Sequence, residues 1–495
     1  MKTQKIQKRL LQCRTVIIIT LFHIAFLVIP GCSSGNGTDD RTAIVFKDVT
    51  VIDAVNGSRT GQSVVVRGNR IVEAGQKKEV SKPLGATVIN CKGKYLIPGL
   101  WDAHMHLTNN SALYPVMYPL LIVNGITYIR DTAAELDLIM PLLRAAEKAS
   151  QSEGMAPDVF FTGPHLDGKQ LSWSSSVSAV TAEQARDIID SLEKAGVDQI
   201  KVYDLLPPEI CIEVLAIARN KGFKVSAHVP LGMDVVEASN AGLASMEHMY
   251  NLEMSCSSDW DSLLQARRKM ISEGANKNGR ELREEIYHSQ RMHSFKTQDK
   301  ERRDLVLKTL SKNNTWQVPT LVILAEAENR IFAKDDYRRT FRYLPEPVRS
   351  EWEKSATDRS AQTPSEEGLA HAKWAYDMIP RLVEAGIGIM AGTDMPLANL
   401  IPGYSLHEEL ALLVRSGLTP LQVLESATLR PAQFFGIESD HGRIEKGMMA
   451  DLVLLDANPL EDITNTQRIN AVMRNGFLHT RADLDEILSR LEHPR

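Results

Sequence analysis

The chain has few cysteines, no excess of positive charge and little long apolar sequence, and each shortage excludes a class of protein. Among 495 residues there are five cysteines, and those beyond the N-terminal segment, Cys91, Cys211 and Cys256, are odd in number and widely spaced. A disulfide framework is therefore not expected. The net charge is −5 at pH 7, which argues against the basic face that nucleic-acid binding needs. With 43% apolar and 24% charged residues, the composition is typical of a globular protein.

One apolar run, residues 16–29, follows a basic N-terminal region and is short for a membrane span. It ends in Ile29-Pro30-Gly31-Cys32, which resembles a bacterial lipobox. We predict a lipoprotein signal peptide at 1–31, a lipid on Cys32 and a flexible tether over 32–42. The predicted location is the bacterial cell envelope, periplasmic or outer face, with membrane contact through the lipid alone. Ordinary secretion and an uncleaved anchor are the alternatives, and both also export the protein.

Two segments rich in Val and Ile, residues 43–98 and 441–480, read as short strands broken by Gly and Asn turns. They lie about 350 residues apart along the chain and bracket everything between them. We therefore predict that both chain ends build one small β-sandwich. Residues 481–495 are expected to be a C-terminal tail.

Residues 99–440 have a different pattern, in which eight short apolar runs alternate with helical stretches. Such alternation predicts an α/β fold with parallel strands, and eight units fit a (β/α)₈ TIM barrel with its active site at the C-terminal strand ends. Two connections, 251–315 and 324–386, are too long for simple crossovers. Their charged, helical sequences predict a cap over the barrel mouth, with solvated outer helices as the alternative. The eight runs are "GLWDAHMHL", "GITYIRD", "DVFFTGP", "DQIKVYD", "KVSAHVP", "ASMEHMY", "TWQVPTLVI" and "GIGIMAGTD".

Candidate metal ligands occur where these predicted strands end. His104 and His106 are two residues apart and therefore face the same side of a strand, as does Asp102. A His-X-His pair is a weak signal alone, but His228, His248 and Asp394 also lie at strand ends. Each could singly be a buried, hydrogen-bonded polar group. Together they predict one metal site at the catalytic end of the barrel.

These motifs resemble the metal-dependent amidohydrolase superfamily. "PGLWDAHMHL", the later single histidines and "GTD" carry the superfamily pattern. "GITYIRD", "KVSAHV", "GLASMEH" and the segment from "LHEELALLVRSGLTP" to "MADLVLLDANPL" are similar to its imidazolonepropionase-related branch, which also holds metallo-dipeptidases. The resemblance covers about residues 43–480. It implies a distorted (β/α)₈ barrel beside a β-sandwich made from both chain ends.

Lys201 decides how many ions the site is expected to hold. It shares an inward strand face with Tyr203, and a buried lysine is costly unless it is neutralised or paired. The resemblance implies that CO₂ carboxylates Lys201 and that the carbamate bridges two ions. One ion would then be held by His104, His106 and Asp394, and the other by His228 and His248. The alternative is a single ion, with Lys201 paired to a carboxylate or bound to substrate.

The site predicts hydrolysis of a C–N amide bond, in a dipeptide or a cyclic amide, by metal-bound hydroxide. Zinc is the default ion, and Mn, Co or Fe are not excluded. Asp394 is expected to move the proton, and Tyr203 either donates a hydrogen bond to the oxyanion or simply lines the barrel. Deamination, lactone hydrolysis and a non-catalytic lipoprotein binding module are the alternatives. Oligomeric state stays open, a homo-oligomer included. The candidate substrate contacts are His165, His407 and Arg130.

Overall fold

The computed structural model describes residues 42–493, so the predicted signal peptide and the predicted lipid attachment at Cys32 lie outside the described residues. Strands dominate both ends of this range, and strands alternate with helices between them. The strands are β1 (Ile44–Asp53), β2 (Gly57–Arg67), β3 (Arg70–Gln76), β4 (Thr87–Asn90), β5 (Tyr95–Pro98), β6 (Leu100–Met105), β7 (Ile126–Asp131), β8 (Asp158–Phe161), β9 (Leu166–Asp167), β10 (Val177–Ser178), β11 (Ile200–Val202), β12 (Val225–Ala227), β13 (Ser245–Glu247), β14 (Trp316–Val318), β15 (Leu452–Leu455), β16 (Ile469–Arg474) and β17 (Phe477–Thr480).

The helices occupy the connections between barrel strands and the C-terminal end. Across residues 42–493, no helix has the length and apolar character needed to cross a membrane. The α-helices are α1 (Tyr114–Val123), α2 (Leu136–Glu153), α3 (Ala182–Ala195), α4 (Pro208–Asn220), α5 (Val235–Asn240), α6 (Leu252–Ser255), α7 (Trp260–Glu273), α8 (Gly279–Lys296), α9 (Lys300–Lys312), α10 (Leu321–Leu324), α11 (Glu326–Asn329), α12 (Asp335–Arg339), α13 (Glu346–Ala361), α14 (Glu366–Glu384), α15 (Tyr404–Arg415), α16 (Pro420–Ser426), α17 (Leu429–Phe435) and α18 (Arg481–Glu492), and short 3₁₀ helices span Ser111–Leu113, Ile331–Ala333, Thr340–Tyr343, Leu397–Asn399 and Ile463–Gln467.

The two chain ends build one β-unit, as the sequence predicts. Strands β1 to β5 and β15 to β17 form a single eight-stranded sheet, in which β15 pairs antiparallel with β5. Leu96 and Leu454 are opposite one another at this junction and share a core with Val51 and Val64. Burial of these alternate apolar residues holds together two segments that are far apart in sequence. The expected tail instead forms α18, which begins at a capping box between Thr480 and Asp483.

The middle of the chain follows the (β/α)₈ order. Strands β6, β7 and β8 pair in parallel, and so do β11, β12, β13 and β14. The last predicted strand, residues 386–394, lies between the two groups of strands and bonds to β6 and β14. Ala103 N donates to Ala391 O and Gln317 N donates to Gly388 O, each at 2.9 Å. All six residues of β7 are buried, as expected for a parallel strand covered on both faces. The α/β fold of TIM-barrel type is confirmed.

The two long insertions are helical, and the first reaches the C-terminal ends of the barrel strands. Arg283 and Tyr287 of α8 both donate hydrogen bonds to Asp204, which lies just beyond β11, at 2.6 and 3.0 Å. The second insertion packs on the first, since Arg291 Nη1 is 3.1 Å from Glu367 of α14. The first insertion therefore contributes side chains to the region where the candidate ligands lie.

Candidate metal centre

Three histidines converge on the Asp394 carboxylate. His106 Nε2 lies 2.8 Å and His104 Nε2 lies 3.2 Å from Asp394 Oδ1, while His248 Nε2 lies 4.0 Å from Oδ2. The potential ligand atoms of His104, His248 and Asp394 all fall within 4.8 Å of one another. His104 lies on β6 and His106 directly follows that strand, whereas His248 follows β13. Asp394 ends the last barrel segment, residues 386–394. One cluster therefore draws on three parts of the barrel.

The backbone turns sharply where these strands end. His248, Thr320 and Asp394 have φ angles of 60°, 48° and 68°, in the left-handed region that non-glycine residues seldom adopt. Each such residue costs roughly 1 kcal/mol or more, and the surrounding packing must offset this cost. The concentration of strained residues at the cluster is typical of a functional site.

Glu247 orients His104 from behind. Its Oε2 accepts hydrogen bonds from His104 Nδ1 and from Arg130 Nη2, each at 2.6 Å, and Oε1 accepts one from Ser245 at 3.0 Å. Burial alone would raise the pKa of Glu247, but Arg130, Lys201 and His104 hold that pKa well below its usual value. An ionised Glu247 fixes the proton of His104 on Nδ1 and leaves the Nε2 lone pair directed at Asp394.

This arrangement fits a bound cation. His104 Nε2 is buried and has no hydrogen-bond partner within residues 42–493, although an oxygen of Asp394 lies 3.2 Å away. Two buried acceptors facing each other are unfavourable unless a positive charge lies between them. Burial also lowers the pKa of His248 well below its usual value, which keeps that imidazole neutral and able to bind a metal. Nitrogen and carboxylate donors suit Zn and other first-row divalent ions.

Lys201 lies fully buried on β11, as the sequence predicts. Its Nζ has no hydrogen-bond partner in the described part of the chain. Burial lowers the pKa of Lys201 to about 8, even though nearby Glu247 acts in the opposite direction. The ammonium is therefore not stabilised by a direct partner here, which is unusual for a lysine in a protein interior.

A second carboxylate, Asp204, orients His228. Asp204 Oδ2 accepts from His228 Nδ1 at 3.2 Å and from Arg283 Nε at 2.6 Å. Burial would raise the pKa of Asp204, but Arg283 and His228 together hold it well below its usual value. Burial lowers the pKa of His228 to about 4, so the ring is neutral and its Nε2 is the atom available to a metal. The rings of His228 and His248 are 4.7 Å apart.

Aromatic side chains line the space beside the histidines. The Tyr203 ring stacks on His228 with centroids 4.2 Å apart and lies 4.4 Å from the ring of His165. Tyr203 Oη accepts a hydrogen bond from Trp173 Nε1 at 2.5 Å. Burial raises the pKa of Tyr203 well above its usual value, so the phenol keeps its proton and can donate it in a hydrogen bond. Tyr203 and His165 thus lie where the sequence predicts, next to the candidate ligands.

Two predicted substrate contacts, Arg130 and His407, do not fit that role. Arg130 is fully buried, and its guanidinium donates to Glu247, to Ser245 and to the backbone oxygen of Ala103. The ring nitrogens of His407 are engaged by Thr466 Oγ1 at 2.9 Å and by the Asn124 carbonyl at 3.2 Å. We correct both assignments, because the hydrogen-bonding groups of these side chains are used inside the protein.

Several residues at the site were not singled out from the sequence, among them Glu247, Asp204, Arg283 and Tyr287. Glu247 precedes His248 in "SMEH" and Asp204 ends "KVYD". An acidic residue beside a candidate ligand at a strand end is a usable signal, because metal-binding histidines commonly donate their second N–H to a carboxylate. Arg283 and Tyr287 lie in an insertion, and no local pattern marks them.

Comparison with known proteins places the site in context. Residues 95–478 match the Amidohydrolase family. An adenine deaminase from Thermosipho melanesiensis is 25% identical over 196 residues, which are 38% of this chain and 32% of the relative. An ochratoxinase from Aspergillus niger is 36% identical over 117 residues, which are 21% of this chain and 23% of the relative. The chain thus matches a third or less of the length of these two curated relatives.

Solved structures share the fold over most of the chain. Bottromycin amidohydrolase superposes with a TM-score of 0.68 at 22% identity and covers 92% of both chains. A Xaa-Pro dipeptidase with bound methionine in its active site superposes with a TM-score of 0.61 at 18% identity, covering 89% of this chain and 100% of the other. At these identities the likeness establishes the fold, and the chemistry must be argued from the site.

Proposed function

This chain belongs to the amidohydrolase family, and on that basis we propose that it is a metal-dependent hydrolase that cleaves an amide C–N bond in a dipeptide or a cyclic amide. The observation that carries the proposal is the buried, partnerless Nε2 of His104 facing the Asp394 carboxylate. A site with these donors is suited to a cation. Membership of the amidohydrolase family supports the same class of reaction.

The division of the ligands follows from the family resemblance. On that pattern His104, His106 and Asp394 would hold one ion, and His228 and His248 a second, with Lys201 contributing to both. Metal ions in such a site supply Lewis acidity that activates water and polarises the amide carbonyl. Zinc is the first choice, and the donor set also accommodates Mn, Co or Fe.

Side chains of the protein would carry out proton transfer, stabilise the oxyanion and orient the ligands. Asp394 accepts the proton of the attacking water and delivers it to the leaving nitrogen, so that the amine departs neutral. Tyr203 donates its phenolic hydrogen to the carbonyl oxygen as negative charge develops there. Glu247 and Asp204 keep His104 and His228 in the orientations that present Nε2.

Lys201 would bridge the ions as a carbamate. Its neutral Nζ attacks the carbon of CO₂, a C–N bond forms, one C=O electron pair moves to oxygen and the nitrogen releases a proton to solvent. The product carries a negative charge and two acceptor oxygens, which is compatible with a position between cations. The support for this step is the full burial of Lys201 together with the lack of any hydrogen-bond partner of Nζ in residues 42–493.

Metal analysis and a substrate panel test the proposal together. We expect two ions per chain, loss of hydrolysis after chelation, and recovery on adding Zn²⁺. Lys201→Ala should lower the metal content, whereas Lys221→Ala, on the surface beside Asp190 and Glu193, should not. One ion per chain with no effect of Lys201→Ala would overturn the two-ion assignment.

The panel contains dipeptides, cyclic amides, lactones and adenine. Turnover of adenine alone would replace amide hydrolysis by deamination, the reaction class for which the Thermosipho melanesiensis relative is named, and turnover of lactones alone would identify a lactonase. Lack of turnover on every compound, with apo and metal-loaded protein equally stable, would instead favour a binding module.

We also propose export and lipid anchoring, on the basis of the apolar run at 16–29 and Cys32. In a bacterial host, wild-type protein should sediment with membranes. Cys32→Ser should release it into the soluble envelope fraction or leave the signal uncleaved. Recovery of both forms in the soluble cytoplasmic fraction would contradict export.

A further inference from the structure

Arg283 lies beside the candidate metal centre although it belongs to the first insertion. Its Nε donates to Asp204 Oδ2 at 2.6 Å, and the same oxygen accepts from His228 Nδ1 at 3.2 Å. The guanidinium and the candidate ligand His228 are therefore separated by a single carboxylate oxygen. A side chain from α8 thus reaches the catalytic end of β11.

Most of the donor capacity of Arg283 is unused. A guanidinium has five N–H groups, and among residues 42–493 only Nε has a hydrogen-bond acceptor. The side chain keeps 15% of its surface exposed, so the two terminal nitrogens are reachable by a ligand. Tyr250 and Tyr287 contact the guanidinium with ring centroids 5.5 and 5.2 Å from its central carbon and restrict its orientation.

The guanidinium is also close to the place where an amide would react. Tyr250, on which it stacks, lies 5.1 Å from the ring of His228 and 4.9 Å from that of His248. In an N-acyl α-amino acid, the carboxylate carbon is three covalent bonds from the scissile carbonyl carbon. A substrate whose carbonyl approaches the histidines would therefore bring its carboxylate to Arg283.

We propose that Arg283 binds the free carboxylate of the leaving amino acid, so that the substrates are dipeptides or N-acyl amino acids with a free C-terminus. This inference rests on the proposed function and names its substrate class. Two terminal N–H groups can bind a carboxylate in the bidentate manner that gives arginine its specificity. Asp204 holds Nε from the opposite side and so fixes the fork in position.

Matched substrates test this inference. Ala-Leu and Ala-Phe are compared with their C-terminal amides, and cleavage of the Ala–Leu or Ala–Phe bond is followed by product analysis. A hydrogen bond to a charged group discriminates by about 10- to 100-fold, so wild-type kcat/KM should favour the free acids by a factor in that range. Arg283→Gln should bring this ratio close to one, and Arg283→Lys should give an intermediate ratio.

Arg280→Gln is the matched control. Arg280 lies about one turn earlier on α8 and stacks over Trp173. Its replacement therefore removes a positive charge from the same helix and leaves the hydrogen bond between Arg283 and Asp204 in place. This variant should keep the wild-type ratio. Metal content, measured in parallel, reports whether loss of Arg283 also disturbs His228 through Asp204.

The outcomes separate this inference from the proposed function. No hydrolysis of either series by metal-loaded wild-type protein counts against the proposed function. Hydrolysis without preference for the acids overturns the carboxylate role. Equal losses on acids and amides in Arg283→Gln also overturn it, since they would make Arg283 only a positioning residue for His228. If Arg283→Gln does not fold, the Arg283→Lys ratio decides in the same way.

Discussion

Glu247 and His104 are joined by a 2.6 Å hydrogen bond between a carboxylate oxygen and Nδ1, with both side chains fully buried. The bond makes the orientation of a candidate metal ligand depend on a residue that is not itself a ligand. Arg130 binds the same carboxylate oxygen at 2.6 Å, and its positive charge balances the negative charge of Glu247. The ligand geometry therefore depends on a buried ion pair behind the site.

Glu247→Gln should weaken metal binding by about 10- to 100-fold, the usual effect of losing a partner behind a metal ligand. The neutral amide lacks the negative charge that balances Arg130 and strengthens the hydrogen bond from His104 Nδ1, so the His104 tautomer is held less firmly. Chelator competition measures the affinity. Glu253→Gln provides the control, because Glu253 is equally buried but lies 4.0 Å from Arg267, outside the ligand cluster. Unchanged affinity in Glu247→Gln would contradict the orienting role.

Asp394→Asn should lower kcat by about 10³-fold on any substrate that wild-type protein cleaves, since proton transfer contributes on this scale. The amide keeps the shape of the side chain but cannot accept a proton at neutral pH. Steady-state kinetics with saturating Zn²⁺ separates this loss from weaker metal binding. Asp53→Asn, in the terminal sheet beside Arg59, should lower stability and leave kcat unchanged. Similar kcat values for Asp394→Asn and wild type would exclude Asp394 as the proton carrier.

The sequence brings the candidate ligands to one end of the barrel because local geometry determines their positions. His104 and His106 share a strand face, and His228 and Asp394 directly follow apolar strand runs. The alternation rule fails at Glu247 and His248, which an extended strand would point to opposite sides. His248 leaves the strand with φ of 60°, so both side chains contact the same cluster. A pattern of period two cannot anticipate that turn.

Other features depend on contacts between distant segments. Arg283 meets Asp204 across 79 residues of sequence, and only the packing of α8 over the barrel brings them together. Arg130 and His407 illustrate the opposite error. The sequence places Arg130 near a strand end and His407 near the barrel mouth. In the structure, hydrogen bonds to Glu247 and Thr466, respectively, hold the two side chains inside the protein. Residue type and position along a strand do not reveal whether a polar group is already hydrogen-bonded.

His407 should make the protein sensitive to acid. Burial lowers its pKa from 6.5 to about 4, so between these values the unfolded chain binds a proton that the folded chain excludes. The free energy of unfolding therefore falls as the pH falls from 6.5 to 4, by roughly 3 kcal/mol at most. His407→Gln loses hydrogen bonds at neutral pH but should show a shallower decline in Tm between pH 7 and pH 4.5. His288→Gln, at a position with a 69% exposed side chain, should decline as wild type does, and parallel curves for all three proteins would contradict this account.

Gly392→Ala should disturb the metal centre from the backbone side. A Cβ at position 392 would lie 2.8 Å from the backbone nitrogen and 2.9 Å from the Cβ of His104, and 2.7 Å from Val318 Cγ1. These atoms belong to strand backbones or short branched side chains, so β6 and the last barrel segment would have to separate. Overpacking of this kind costs about 1–3 kcal/mol, measurable by urea unfolding.

The same separation moves His104 relative to Asp394, since Thr393 N and Asp394 N both donate to the His104 carbonyl. Gly392→Ala should therefore also lower metal affinity, as judged by chelator competition. Gly75→Ala is the matched control, because its added Cβ would approach no atom closer than Val80 Cγ2 at 3.6 Å. If Gly392→Ala lowered stability but bound metal as tightly as Gly75→Ala, the close approach of the two segments would be needed for packing and not for the ligand geometry.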